Sequence, residues 1–129
     1  MFEAHGTFEL QVQGRILLAK FKGAWNLESA LNYKREIEQV VRPLMGQPWA
    51  MVSNMNDWEL FTPECAPVII KLSQAAYRGG LVREAMVNQT DSIKMQIFHQ
   101  AIEGYPEFER AFFATQDEAI RWLHAQGFN

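Results

Sequence analysis

The sequence predicts an α/β domain on a mostly parallel five-stranded sheet, with the order β-β-α-β-α-β-α-β-α and an antiparallel strand at the N-terminal edge. Three observations predict it. Short segments of strand character alternate with segments of helical period, which favours parallel strands joined by right-handed crossovers. The first two strands are separated only by a tight turn at Gly14-Arg15, which makes them an antiparallel hairpin. No internal repeat, linker or low-complexity stretch interrupts the 129 residues, so the chain reads as a single domain, 1–129.

Each element has a local signal. In "TFELQVQG", Phe8, Leu10 and Val12 alternate with Glu9, Gln11 and Gln13, the period of a strand with one wet face. "RILLAKFKG" is apolar on both faces near its centre. Asn26 suits a helix cap. From Leu27 onward, Leu31, Ile37, Val40 and Val41, with Ala30 and Tyr33, make an apolar stripe opposite Glu28, Lys34, Arg35, Glu36 and Glu38. Pro43, Gly46 and Pro48 end it. "WAMVSNM" is a short buried strand, and "VIIKLSQAAYRGG" a second helix that starts near Ala66 or Pro67, after a separate turn at Thr62, and stops at Gly79-Gly80. "LVREAMVNQ" is the fourth strand, residues 92–103 the third helix, and "FERAFFA" the last strand. In "TQDEAIRWLHAQG", Thr115 and Glu118 have capping-box spacing, with each side chain expected on the other's free backbone N–H, and Gly127 supplies the stop.

Composition bounds the function. The net charge is −3 and the 12 basic residues are scattered, which argues against nucleic acid, because phosphate binding needs clustered cations. Arg15, Lys20 and Lys22 come closest to a cluster and read as solvated strand positions. The one cysteine, Cys65, forbids an internal disulfide and suits a reducing, cytoplasmic setting. The N-terminal stretch lacks the basic-then-apolar pattern of a secretion signal, and no apolar run is long enough to span a bilayer. His5, His99 and His124 sit in different elements without metal-ligand spacing. No Gly-rich phosphate loop, G-x-S-x-G or H-E-x-x-H occurs, so no cofactor is expected.

The element order, the opening "FELQVQGRILLAKFKGAWN" and the ending "FERAFFATQDEAIRWL" resemble the STAS domain shared by sulfate transporters and anti-sigma factor antagonists. More narrowly, the chain is similar to small stand-alone bacterial proteins of that fold described as STAS/CRAL-TRIO-like. The resemblance covers nearly the whole chain, and its motifs carry fold, not catalysis. It implies a non-enzymatic regulatory or interaction module; the CRAL-TRIO side of it implies carriage of a small apolar ligand or lipid. Anti-sigma antagonists bear a phosphorylated serine in an Asp-Ser-Ser-Gly motif after the third strand. Here the corresponding stretch is "SNMNDWELFTPE": Ser53 falls early, Thr62 falls late, and no phosphosite carries over.

In open α/β sheets, ligands bind beyond the carboxyl ends of parallel strands. That rule makes a polar edge of Asn54, Asn56 and Asp57 after the third strand and Asn88, Gln89, Thr90 and Asp91 after the fourth, with Trp58, Leu60 and Phe61 beside it. The three large apolar residues have two readings, a loop folded back to complete the core or an apolar patch that meets a partner. The expected partner is a protein or a small apolar ligand. A small enzyme using the polar edge is the third reading. If every crossover steps the same way, the helices gather on one face. The other face then needs the hairpin, a terminal segment or a second subunit to cover it, and a homodimer is the expectation.

Overall fold

The computed structural model describes residues 5–88 and 104–129. Five strands form one sheet in the order β1-β2-β3-β4-β5: β1 (Thr7–Gln13), β2 (Ile16–Trp25), β3 (Trp49–Phe61), β4 (Leu81–Val87) and β5 (Glu109–Phe113). β1 runs antiparallel to β2 and every later pair is parallel. Gly14 makes the connecting turn at φ +59°, a conformation an L side chain resists. Three helices occur among the described residues: α1 (Leu27–Val40), α2 (Cys65–Arg78) and α3 (Gln116–Ala125). The helix expected at 92–103 lies outside the described residues.

Both predicted caps are present. Asn26 accepts from the Ser29 backbone N–H at 3.0 Å, and the Ser29 hydroxyl faces the Asn26 N–H in return, so α1 begins with a closed capping box. At α3, Thr115 accepts from the Glu118 N–H at 3.2 Å. The return contact differs from the expected one: the Thr115 hydroxyl donates to the Glu118 carboxylate at 2.9 Å. α2 begins at Cys65, one residue before the expected range, and Pro67 falls within its first turn, where a missing N–H costs no helical bond. The turn expected at Thr62 is formed, with the Cys65 N–H donating to the Thr62 carbonyl.

The main departure from the sequence reading is β3. The strand expected to end at Met55 continues to Phe61, so the segment read as a loop is the outer half of a ribbon with β2. The pairing steps from Lys20↔Asn54 to Lys22↔Asp57 and from Gly23↔Trp58 to Ala24↔Leu60. At each step β3 takes one more residue than β2, which is a β-bulge. Inward-facing residues therefore fall at Trp49, Met51, Ser53 and Met55, then at Trp58 and Phe61, and the spacing changes from two to three. A strand with that spacing does not look like one in sequence. Gly23, at φ +77°, lets β2 follow the bulged partner. The Asn54 carboxamide oxygen accepts from the Asn56 N–H at 3.1 Å, holding a donor displaced by the first bulge.

The sheet has two covered faces. α1 and α2 pack on one, around Leu17, Phe21, Trp25, Tyr33, Trp49 and Trp58. α3 packs on the other, where Ala119 and Leu123 meet Ile16, Val52, Ala85 and Val87. The terminal helix thus supplies the second face, one of the three covers the sequence left open. Arg15 is a structural cation: its guanidinium donates to the carbonyls of Pro43, Leu44, Gln47 and Pro48 after α1. Lys22 pairs with Glu9 at 2.9 Å.

Trp58 is 2% exposed and stacks on Phe61, with ring centroids 5.1 Å apart. Truncation at such a site removes both burial and shape, so Trp58→Ala is expected to cost about 3–5 kcal/mol. Urea denaturation followed by far-UV circular dichroism checks this; a loss under about 1 kcal/mol would mean that the ring is not part of the core.

Candidate functional site

Two places on the molecule carry more than packing. The first is the rim at the carboxyl ends of β3 and β4. The segments around Asn54 and Asn88 meet there, since Asn54 is in register with Val87. The Asn54 side chain is buried and donates from Nδ2 to Gln116 Oε1 at 3.2 Å, tying the rim to the first turn of α3. The Asn88 N–H donates to the Phe113 carbonyl at 3.1 Å. Asn56 and Asp57 are exposed, Trp58 is buried and Phe61 is half-buried. Leu60 is 61% exposed. Of the three large apolar residues, two therefore turn inward and one faces out. Thr90, with Gln89 and Asp91, lies outside the described residues.

The same end of the molecule holds the start of α2. Glu64 is the residue before the helix, and a hydrogen bond from the Thr62 hydroxyl lowers its carboxyl below the usual range. Cys65 is buried, with Sγ 3.6 Å from Thr62 Oγ1. Burial raises its thiol above the ordinary value and outweighs the opposing bond from Thr62, so it is held as a thiol and not as a reactive thiolate.

The second place was not found from the sequence. A cleft of about 240 Å3 opens between the C-terminal halves of α1 and α2, over the sheet. Its walls are mostly apolar, with Ile37 and Val41 from α1, Ile69, Leu72 and Ala76 from α2, and Met45, Trp49 and Leu81 at one end; Glu38, Arg42 and Ser73 also line it. Its floor is polar. Ser53 on β3 donates to Glu84 Oε2 at 2.6 Å. Arg110 on β5 donates to Glu84 Oε1 from Nε at 2.9 Å and from Nη2 at 2.7 Å. Glu84 and Arg110 are paired in register, and each side chain is only 8% exposed. The Arg110 guanidinium also lies 5.3 Å over the Phe108 ring. Tyr33 completes the floor from α1. Burial first, and the Glu84 charge second, hold its phenol well above the usual tyrosine range.

These residues escaped notice because each stands alone in its own strand: one serine in "WAMVSNM", one glutamate in "LVREAMV", one arginine in "FERAFFA". A charged residue on the inward phase of an otherwise buried strand was the available signal. The buried position of Ser53, mid-strand with its hydroxyl on Glu84, also removes it from the place of an exposed phosphoacceptor. No group of three or more His, Cys, Asp or Glu that could hold a metal ion occurs among the described residues. No helix among them is long and apolar enough to cross a membrane.

A parallel sheet in sequential order with an antiparallel first edge, two helices on one face and a C-terminal helix on the other, is the SpoIIAA-like, or STAS, fold. Solved structures bear this out. A DUF3478-family protein with a SpoIIAA-like fold from Shewanella loihica PV-4 matches with a TM-score of 0.72 at 15% identity, over 95% of this chain and 98% of that one. The anti-sigma factor antagonist SpoIIAA, in its unphosphorylated form, matches at 0.62 and 15% identity, over 91% and 97%. An anti-sigma factor antagonist from Mycobacterium paratuberculosis matches at 0.59 and 14%, over 92% and 94%. No protein-family model matches the chain, and no curated protein does.

Two outcomes are expected from the floor of the cleft. Glu84→Ala strands Arg110 in the interior and is expected to destabilise by about 3–5 kcal/mol, whereas the apolar pair Glu84→Met with Arg110→Leu recovers most of that loss. Equilibrium unfolding of the three proteins checks it. For Tyr33, folding raises the phenol above its unfolded value. Stability from this group is therefore full below about pH 10, where both states are protonated, and falls as pH rises beyond it. An ultraviolet tyrosine titration should find Tyr33 ionising only with unfolding, while Tyr77 and Tyr105 are separable by their Phe variants.

Proposed function

We propose that the chain is a non-catalytic regulatory module of STAS fold that binds a protein through the rim at the carboxyl ends of β3 and β4. The observation that carries this reading is Leu60, a large apolar side chain turned outward on a rigid, paired strand and flanked by exposed Asp57, Asn56 and Glu59. An exposed apolar anchor inside a polar rim is the usual anatomy of a protein contact. Asn88 lies on the same rim, and Phe61 holds the strand to the core from its inner face. Trp58 and Asn54 support it from below.

The chemistry of the cleft favours binding over catalysis. Both oxygens of Glu84 are engaged, one by Arg110 and one by Ser53, which leaves neither free to take a proton from a substrate. The likeness to anti-sigma factor antagonists supports a regulatory reading at the level of fold.

Leu60→Asp tests the proposal. Because the side chain is exposed, stability should stay within about 0.5 kcal/mol of the parent. Affinity capture from extracts of the source cells, with the parent and variant side by side, is expected to lose the parent's specific partners at least tenfold. Equal recovery by a folded Leu60→Asp protein would refute the rim as the contact surface.

A further inference from the structure

We propose that the cleft between α1 and α2 is a binding site for a small neutral alcohol or phenol with a single ring or short apolar body. This inference is independent of the rim, which lies at the other end of β3.

The size sets the first limit. Apolar cavities of about 150 Å3 take up benzene. At about 240 Å3, the cleft has room for a substituted ring. It is below the roughly 300 Å3 at which sites for larger ligands begin, so a long acyl chain is a poor occupant.

The floor sets the second. Tyr33 is 4% exposed and lines the cleft, with a phenol that can donate a hydrogen bond. A ligand hydroxyl seated in the cleft would have this phenol among its neighbours. Ser53 gives its proton to Glu84, so its oxygen is left as an acceptor on the same floor. One donor and one acceptor match a hydroxyl group, which accepts from Tyr33 and donates to Ser53.

Charge sets the third. Glu84 lies beneath the site, and the Arg110 guanidinium is already committed to it. A carboxylate on the floor would bring a second negative charge next to the first, and Arg42, the cation that also lines the cleft, is solvent-exposed, where its charge is screened. A neutral head group avoids that repulsion.

The probe is 4-ethylphenol, with ethylbenzene and 4-ethylbenzoate as controls, titrated into methyl-labelled protein and followed by NMR. The expected result is saturable shifts confined to Met45, Ile37, Ile69 and Leu72 with 4-ethylphenol, weaker binding of ethylbenzene, and none of 4-ethylbenzoate. Tyr33→Phe should weaken 4-ethylphenol by about tenfold and leave ethylbenzene unchanged, since one hydrogen bond is lost. Ser53→Ala provides a second test of the same polar pair, with a similar loss. Ala76→Phe fills the cleft and should abolish both. Leu60→Asp should change none of these affinities. Absence of saturable shifts at those methyls, tight binding of 4-ethylbenzoate, or equal binding of 4-ethylphenol to folded Tyr33→Phe and Ser53→Ala proteins would overturn the proposal.

Discussion

The contact between Trp25 and Trp58 holds the molecule's far end together. Their ring centroids are 5.5 Å apart, nearly perpendicular, and each touches Phe21. Trp25 also meets Phe8 and Tyr33, so residues from β1, β2, α1 and β3 converge on one indole. Its Nε1 donates to the carbonyls of Thr7 and Lys22, which leaves the buried indole satisfied. Aromatic pairs of this geometry are each worth about 0.5–1.5 kcal/mol beyond the area they bury. The cluster explains why the β2–β3 ribbon continues where β4 has ended. An unsupported two-stranded ribbon is marginal in water. Here its inner face is welded to the core through Trp25, Trp58 and Phe61, and its outer face is free to carry Leu60.

The two candidate surfaces follow from this arrangement. α1 leaves the end of β2 at the rim and returns along the sheet to the start of β3, with Tyr33 seated against the aromatic cluster and Ile37 and Val41 further along. α2 does the same one strand over. The rim is therefore closed by aromatic packing, and the space between the helices falls at the opposite end, over Trp49, Met51 and Leu81. The rule that ligands collect beyond the carboxyl ends of parallel strands depends on helices leaving a crevice there. In this chain the bulged ribbon occupies that place, and the crevice is moved down between the helices.

How much of this was legible in the sequence depended on whether the signal was local. The hairpin, the Asn26 and Thr115 caps and the order of the described strands and helices rest on residues close in the chain, and each is found at the expected place. The outer half of β3 was not legible. Periodicity identifies a strand only while the register is unbroken, and two bulges in seven residues turned a strand into an apparent loop. Asn54 and Asn88 do lie together at the carboxyl ends of β3 and β4, yet the inward or outward direction of Trp58, Leu60 and Phe61 depends on those bulges and on Trp25, far earlier in the chain. The floor of the cleft was illegible for a different reason. Ser53, Glu84 and Arg110 come together only through strand pairing, and nothing in any one strand announces the other two.

The buried Glu84–Arg110 pair bears on what the cleft is for. Stability alone does not account for it, because well-packed apolar residues of similar volume serve a core at least as well. The pair sits on the face of the sheet that helices cover, where an all-apolar floor would let α1 and α2 settle onto Met51 and Met86. A charged pair with Ser53 joined to it keeps hydrogen-bonding capacity at the base of an otherwise apolar space, and Tyr33 adds a donor opposite. Apolar walls over a few convergent polar atoms are the composition of a ligand site, in which the walls supply affinity and the polar atoms choose the ligand. In a chain whose aromatic residues fill the neighbouring core so closely, a cleft with that floor is the arrangement that the proposed small neutral ligand would use.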